Sequence, residues 1–171
     1  MRRVLVIGSG GAGKSHFAVA LAKRLNLPVI HLDAEFWRPG WVETPAAEWR
    51  ERVAELLNGD EWIMDGNYGG TIPQRLAACD TVIFLDFPRV VCVWRITRRA
   101  FQYAGRSRPD MAPGCPERLS WKFVWWVWTY RARRRPEILQ RLAALPSTVG
   151  VEILRSTRNV EAFLARVTVS G

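Results

Sequence analysis

The chain has 171 residues, 49% of them hydrophobic, which fits a single domain with a real core. Its three cysteines are odd in number and lack C-x-x-C spacing, supporting neither a disulfide framework nor a zinc site, and no apolar run is long enough to span a bilayer, so no membrane partner is expected. The net charge of +9 is regional: Arg89 to Arg141 holds thirteen Lys/Arg against three acids, while the rest holds twelve bases against thirteen acids. Such concentration suits a phosphate-clamping segment better than a whole-surface nucleic-acid binder.

Met1-Arg2-Arg3 leads straight into Val4-Leu5-Val6-Ile7, a β-branched apolar run that reads as a buried parallel strand. No signal peptide is expected, and a cytoplasmic location follows. Next comes Gly8-Ser9-Gly10-Gly11-Ala12-Gly13-Lys14-Ser15, which matches G-x-x-x-x-G-K-[ST] in full. Phe17 to Leu25 has helical spacing, with Phe17, Leu21 and Leu25 on one face. Strand, glycine loop and helix together place backbone N–H groups around a phosphate at a helix N-terminus, where the dipole favours negative charge. Lys14 is expected to reach the β/γ-phosphates of a nucleoside triphosphate, and the Ser15 hydroxyl to ligate Mg²⁺. His16 joins the phosphate-contacting set by position alone, since neither His16 nor His31 is assigned a chemical role.

Further along, Pro28 to Asp33 is the second strand, ending in an acid, and Trp49 to Leu57 is a helix with Trp49, Val53, Leu56 and Leu57 as its stripe. Glu61 to Asp65 is a third strand, followed by the turn Gly66 to Gly70 and a short helix from Thr71 to Ala78. Asp80 to Asp86 is a fourth strand, with Pro88 opening a helix that runs to about Tyr103. Ala104 to Pro116, with three prolines and two glycines, reads as a mobile loop. A helix begins at Trp121, another spans Pro136 to Leu145, Thr148 to Leu154 is the fifth strand, and Ser156 or Asn159 caps a last helix. The alternation predicts an α/β chain of the P-loop NTPase fold: a five-stranded parallel sheet, helices on both faces, and a helical, arginine-rich lid. The core is expected at about 1–99 and 146–171, the lid at about 100–145. Gly8, Asp33, Asp65 and Asp86 all fall at carboxyl ends of strands, where such sheets bind ligands.

Each candidate has two readings. Asp33 either orients an acceptor or caps a helix, and Asp86 before Phe87-Pro88 reads as the cap of the next helix. Arg95 and Arg99, four apart, share a helix face. Arg106 and Arg108 on the loop, and Arg131, Arg134 and Arg141 behind it, either swing onto phosphates or stay as solvated charges. Trp121, Trp125 and Trp128 form one stripe, Phe123, Trp126 and Tyr130 a second. Such spacing favours packing between lid helix and core over base stacking. Trp37 and Trp41 carry the same ambiguity.

Met64-Asp65-Gly66-Asn67-Tyr68-Gly69-Gly70-Thr71-Ile72-Pro73-Gln74 resembles a segment of the adenylate-kinase-like nucleotide kinases, a resemblance running over nearly the whole chain. His31-Leu32-Asp33, Phe36-Trp37-x-x-Gly40-Trp41, Trp62 to Tyr68 and Phe84 to Arg89 are similar to the FlaR-related P-loop kinases called DNA topology modulation proteins. The resemblance implies that Asp65 holds Mg²⁺ or its waters, the alternative being a cap for the turn. It also implies that Asp33, Trp37, Asn67 and Tyr68 border the acceptor, and that Arg95 and Arg99 stack on the donor base and reach its phosphates. Adenylate kinases place an acceptor-phosphate arginine directly after the D-G-F-P of the matching segment. Here Gly69 and Gly70 stand there, and Arg75, one helical turn on, is the substitute. The function so implied is Mg²⁺-dependent transfer of the ATP γ-phosphoryl group to a small, unidentified acceptor. The alternative is a regulatory NTP-binding protein whose basic segment touches nucleic acid.

Overall fold

Side-chain alternation along the first strand, β1 (Arg3–Gly8), divides the interior in two. Val4 and Val6 enter one apolar cluster with Phe17, Leu21, Ile83, Ile96 and Phe163, whereas Leu5 and Ile7 enter another with Trp49, Val53, Trp62 and Phe84. A strand whose residues are apolar on both faces is buried on both, the signature of a parallel sheet between helix layers. The computed structural model describes residues 1–106 and 108–167.

After β1 come α1 (Lys14–Leu25), β2 (Val29–His31), α2 (Leu32–Phe36), β3 (Trp37–Arg38), β4 (Val42–Glu43) and α3 (Ala46–Leu57). These lead into β5 (Trp62–Asp65), α4 (Ile72–Ala78), β6 (Thr81–Leu85) and α5 (Arg89–Gln102). The last elements are α6 (Trp121–Arg133), α7 (Arg135–Ala143), β7 (Gly150–Leu154) and α8 (Thr157–Arg166). The main sheet has the order β2-β5-β1-β6-β7, every pairing parallel. This is the five-stranded α/β architecture of P-loop kinases. With β1 central and flanked by β5 and β6, the strand order reverses beside Gly8, which is where an open α/β sheet leaves a crevice for ligands. Among the described residues, no helix is long and apolar enough to cross a membrane.

Three local features differ from the sequence reading. The second strand stops at His31, so Asp33 lies in the first turn of α2. A small antiparallel hairpin, β3 with β4, follows it. The proline-rich stretch is partly packed: Met111, Ala112 and Cys115 are buried against Trp37 and Trp41, and Gly40 N–H donates to the Gly114 carbonyl at 2.9 Å. Proline and glycine spacing points to a loop there, but the apolar side chains between them find an aromatic wall. Ser107 lies outside the described residues.

The tryptophan stripes also separate unexpectedly. Phe123, Trp126 and Tyr130 pack inward, whereas Trp121, Trp125 and Trp128 face solvent. The first stripe therefore does not serve the lid-to-core packing that its spacing suggests.

Candidate functional site

The glycine loop wraps the N-terminus of α1. Gly13 caps that helix with φ 91°, and among the described residues no side chain caps its first amides. A helix start without a capping side chain, at the mouth of a crevice, leaves N–H groups directed at whatever anion enters. The buried Ser9 hydroxyl has no hydrogen-bond partner among the described residues. This donor set suits phosphate oxygens. The loop is also packed tightly from outside. A Cβ on Gly10 would strike Phe123 and Val127 of α6, and one on Gly11 would overlap the Cys92 carbonyl of α5. Gly11 also holds φ 76°, in the left-handed region. We expect Gly11→Ala to destabilise the protein by roughly 1–3 kcal/mol, since backbone strain adds to the overlap. Urea unfolding of the two proteins side by side measures it.

Lys14 Nζ donates to the Ser9 carbonyl at 3.1 Å, folding back over the loop. Its enclosure there lowers the ammonium pKa, an effect opposed by the charges of Asp33 and Asp65. Those two carboxylates arrive from neighbouring elements, Asp65 at the end of β5 and Asp33 in the first turn of α2, just past the adjacent β2. Asp65 ends β5 and is buried, and His31 Nδ1 lies 2.7 Å from its Oδ1. Asp33 accepts from the Tyr68 hydroxyl at 2.6 Å. Burial, then Asp33, raises the Tyr68 pKa far above the ordinary phenol value, so this hydroxyl stays a donor.

Asn67 joins the strand ends. Its side-chain amide donates to the Gly8 carbonyl at 2.7 Å and its Oδ1 accepts the Gly8 N–H at 3.2 Å. Beyond it, Tyr68 adopts φ 35° and its ring meets Phe36 and Trp49. Trp37 stands edge-on to Phe36 and to Trp41. A cavity of about 280 Å³ is lined by Phe36, Glu43, Thr44, Trp49, Arg50 and Thr71.

Arg75 is where the sequence reading is corrected. Its side chain is 0% exposed, and it donates to the carbonyls of Gly66 at 3.0 Å, Tyr68 at 3.1 Å and Asn67, and to Thr71 Oγ1 at 3.2 Å. Burial pushes its pKa down to about 10, which still leaves it charged at neutral pH. Its donors already have acceptors in its own chain, so it braces the Gly66–Tyr68 turn and does not present a guanidinium to an acceptor phosphate.

Arginines and acids pair extensively in the basic segment. Arg95 donates to the Ala12 carbonyl at 3.3 Å and to Thr157 Oγ1 at 3.2 Å, so it touches the glycine loop. Arg99, one turn on, instead meets Glu117 at 3.0 Å, and Arg108 meets the same carboxylate at 2.6 Å and Asp110 at 2.8 Å. Burial would raise the Asp110 pKa, but Arg108, a hydrogen bond with Ser15 and the nearby His31 together bring it below the ordinary carboxylate value. Arg106 is exposed and touches this group through its backbone, its carbonyl accepting the Glu117 N–H at 2.9 Å. Arg134 and Arg141 pair with Glu137 on α7, at 3.6 and 2.8 Å.

Asp86 is the second correction. The cap of α5 is Pro88, without a side-chain bond, while the buried Asp86 carboxylate takes Arg135 at 2.9 Å, Arg155 at 3.7 Å and Arg131 at 4.0 Å. Its partners lie 45 or more residues away in sequence, so no local pattern announces them.

His31 has no chemical role in the sequence reading, yet it orients Asp65. Its signals in the sequence are its place two residues before Asp33 at a strand end and its part in the His31-Leu32-Asp33 motif. The hydrogen bond to Asp65 raises the His31 pKa above the ordinary 6.5. A raised folded-state value means that the pair stabilises fully below pH 6.5 and loses that contribution as pH rises through the folded pKa. We therefore expect the Tm advantage of the natural protein over His31→Gln to shrink with rising pH above that point. Melting curves at stepped pH check it.

No family model matches the chain, and no curated protein matches it. Solved structures share its fold at low identity. The shikimate kinase from Acinetobacter baumannii, in complex with shikimate, superposes with a TM-score of 0.61 at 15% identity, covering 98% of this chain and 90% of that one. The shikimate kinase from Bacteroides thetaiotaomicron gives 0.55 at 17% identity, covering 96% and 95%. The deoxyadenosine kinase from M. mycoides with bound dATP gives 0.58 at 14% identity, covering 95% and 97%.

Proposed function

We propose that the chain is an ATP-dependent kinase that moves the γ-phosphoryl group to a small hydroxyl-bearing or nucleotide acceptor. The observation that carries this reading is the gathering of Lys14, Asp33 and Asp65 at the carboxyl edge of the sheet, around a glycine loop whose helix lacks a side-chain cap. The fold it shares with shikimate and deoxyadenosine kinases supports the same class. The motif likeness to the FlaR-related P-loop kinases belongs to this reading too.

The loop amides of Gly8 to His16 would hold the triphosphate, and Lys14 would bind its β/γ oxygens. Ser15 and Asp65 would hold Mg²⁺, which, when bound, neutralises phosphate charge. His31 fixes the orientation of Asp65 from behind. On the acceptor side, Asp33 already accepts one hydrogen bond, from Tyr68, and its remaining lone pairs can orient the attacking hydroxyl. Trp37, Asn67 and Tyr68 would line the acceptor's space. The cavity beside Phe36 and Trp49 lies at the small end of ligand pockets. Arg95 would steady the donor from the loop, and Arg99 would reach phosphate by exchanging Glu117 for it. Arg106, Arg108, Arg131, Arg134 and Arg141 would form the lid's reserve of charge. Arg108, Arg131, Arg134 and Arg141 pair with acids, and those pairs would have to open before any phosphate, of nucleotide or nucleic acid, could replace them.

ATP-coupled phosphorylation of a panel of nucleosides, nucleoside monophosphates and small hydroxy compounds tests the reading. Asp65→Asn should weaken Mg²⁺-dependent ATP binding by roughly tenfold or more while sparing metal-free binding. Calorimetry with and without Mg²⁺ separates the two, and equal losses would confine Asp65 to bracing the turn.

A further inference from the structure

The nucleotide site leaves one broad surface unexplained. Arg89, at the start of α5, lies 4.3 Å over the ring of Trp128 in the second half of α6. Arg99, near the end of α5, reaches Glu117, just before α6. The two helices therefore run antiparallel side by side. On α5, Val90, Trp94 and Phe101 point outward, opposite the buried Cys92 and Ile96. On α6, Trp121, Trp125 and Trp128 point outward, opposite Val127 and Tyr130. Trp121 is 86% exposed, Phe101 79% and Trp125 59%. With Leu119, this unit supplies seven of the eleven exposed large hydrophobics among the described residues. Single exposed rings are ordinary on a folded protein, but a stripe on each of two adjacent helices calls for a partner.

The charge on the same helices narrows that partner. Neither α5 nor α6 contains an Asp or Glu, and Arg89, Arg98, Lys122, Arg131 and Arg133 are all exposed. A second copy of this face would set cations against cations, so self-pairing is disfavoured. Single-stranded nucleic acid binds by stacking bases on ring faces, and two of these rings, Trp94 under Arg98 at 5.2 Å and Trp128 under Arg89, have a face taken by a guanidinium. The exposed aliphatic carbon of Val90 and Leu119 gives nothing to a base or a phosphate. Tryptophan rings interleaved with long cationic side chains, with aliphatic and phenyl groups between, match the boundary of an anionic bilayer. There rings settle at headgroup level and guanidinium groups reach the phosphates.

We propose that the α5–α6 face is a peripheral docking surface for anionic lipid. The apolar stripe and the basic residues act together, since neither alone gives stable anchoring. The surface lies behind the nucleotide site and is independent of the acceptor's identity. It touches that site through α6, whose inner residues Phe123 and Val127 cover Gly10.

Flotation of the full chain with vesicles of phosphatidylcholine containing about 30 mol % phosphatidylserine, against pure phosphatidylcholine, tests the proposal. The chain should float with the anionic vesicles at least tenfold more strongly, and its tryptophan emission should shift to the blue. Arg98→Gln with Lys122→Gln should lower the partition roughly thirtyfold, and Trp121→Ser with Trp125→Ser should abolish the blue shift. Both pairs are exposed, and circular dichroism confirms that each variant is folded. Equal flotation on both vesicle types, no flotation, tighter capture by a poly(dT) oligonucleotide, or a concentration-dependent dimer that buries the rings would each overturn it.

Discussion

Lys14→Ala should lower ATP consumption by roughly a hundredfold or more, the usual scale for removing a charge stabiliser from a phosphoryl-transfer site. The ammonium already leans over the loop on the Ser9 carbonyl, with Asp33 and Asp65 supporting its charge against enclosure. Phosphate oxygens at the helix start would replace the Ser9 carbonyl as its partner. In the proposed reaction, deleting the group would remove a cation from the place where negative charge shifts during transfer. Stability should barely change, because the lost bond is to an exchangeable carbonyl of the same loop and the sheet beneath is untouched. Turnover is read with whichever acceptor the panel reveals, or as slow hydrolysis without one. Binding of a fluorescent ATP analogue should weaken far less than turnover falls, since the loop amides remain. Undiminished turnover in a folded Lys14→Ala protein would remove the phosphate loop from the chemistry.

What the sequence revealed divides along a physical line. β1, β5 and β6 were legible because each is a short apolar run between turn residues. The glycine loop was legible because close approach and unusual dihedrals leave few residue types to choose from. The two aromatic stripes of α6 were legible as periodicity but not as orientation. Either set could face the core, and the packing of α6 on α5 and on Gly10 decides for Phe123. Asp86 looked like a helix cap because its neighbours suit one, while its partner Arg135 comes from a helix 49 positions on. His31 stands in the motif His31-Leu32-Asp33, but nothing in that run points to Asp65. Its role exists only because β2 lies beside β5 in a register that opposes His31 to Asp65.

Arg75→Met should destabilise the protein by about 3 kcal/mol or more, the largest effect expected from any single change near the site. A fully buried guanidinium holds three carbonyls and a hydroxyl there, and methionine would fill the volume while leaving those carbonyls without donors. Orphaned buried acceptors cost more than the bonds themselves contribute. The carbonyls belong to Gly66, Asn67 and Tyr68, so the damage is directed. Tyr68 sits at φ 35°, which an L-residue holds only when its surroundings impose it, and Asn67 clamps Gly8 from the same turn. Losing Arg75 should therefore release Tyr68 from Asp33 and loosen the start of the phosphate loop. Arg75→Lys should recover only part of the stability, because one ammonium cannot span three carbonyls as a planar fork does. Urea unfolding gives the stability, and amide exchange at 66–71 reports the turn. Should Arg75→Met keep full stability yet lose acceptor turnover alone, the guanidinium would contact the acceptor after all, as its place in the sequence suggests. Coupled loss of stability, turn protection and ATP affinity is the outcome that its burial demands.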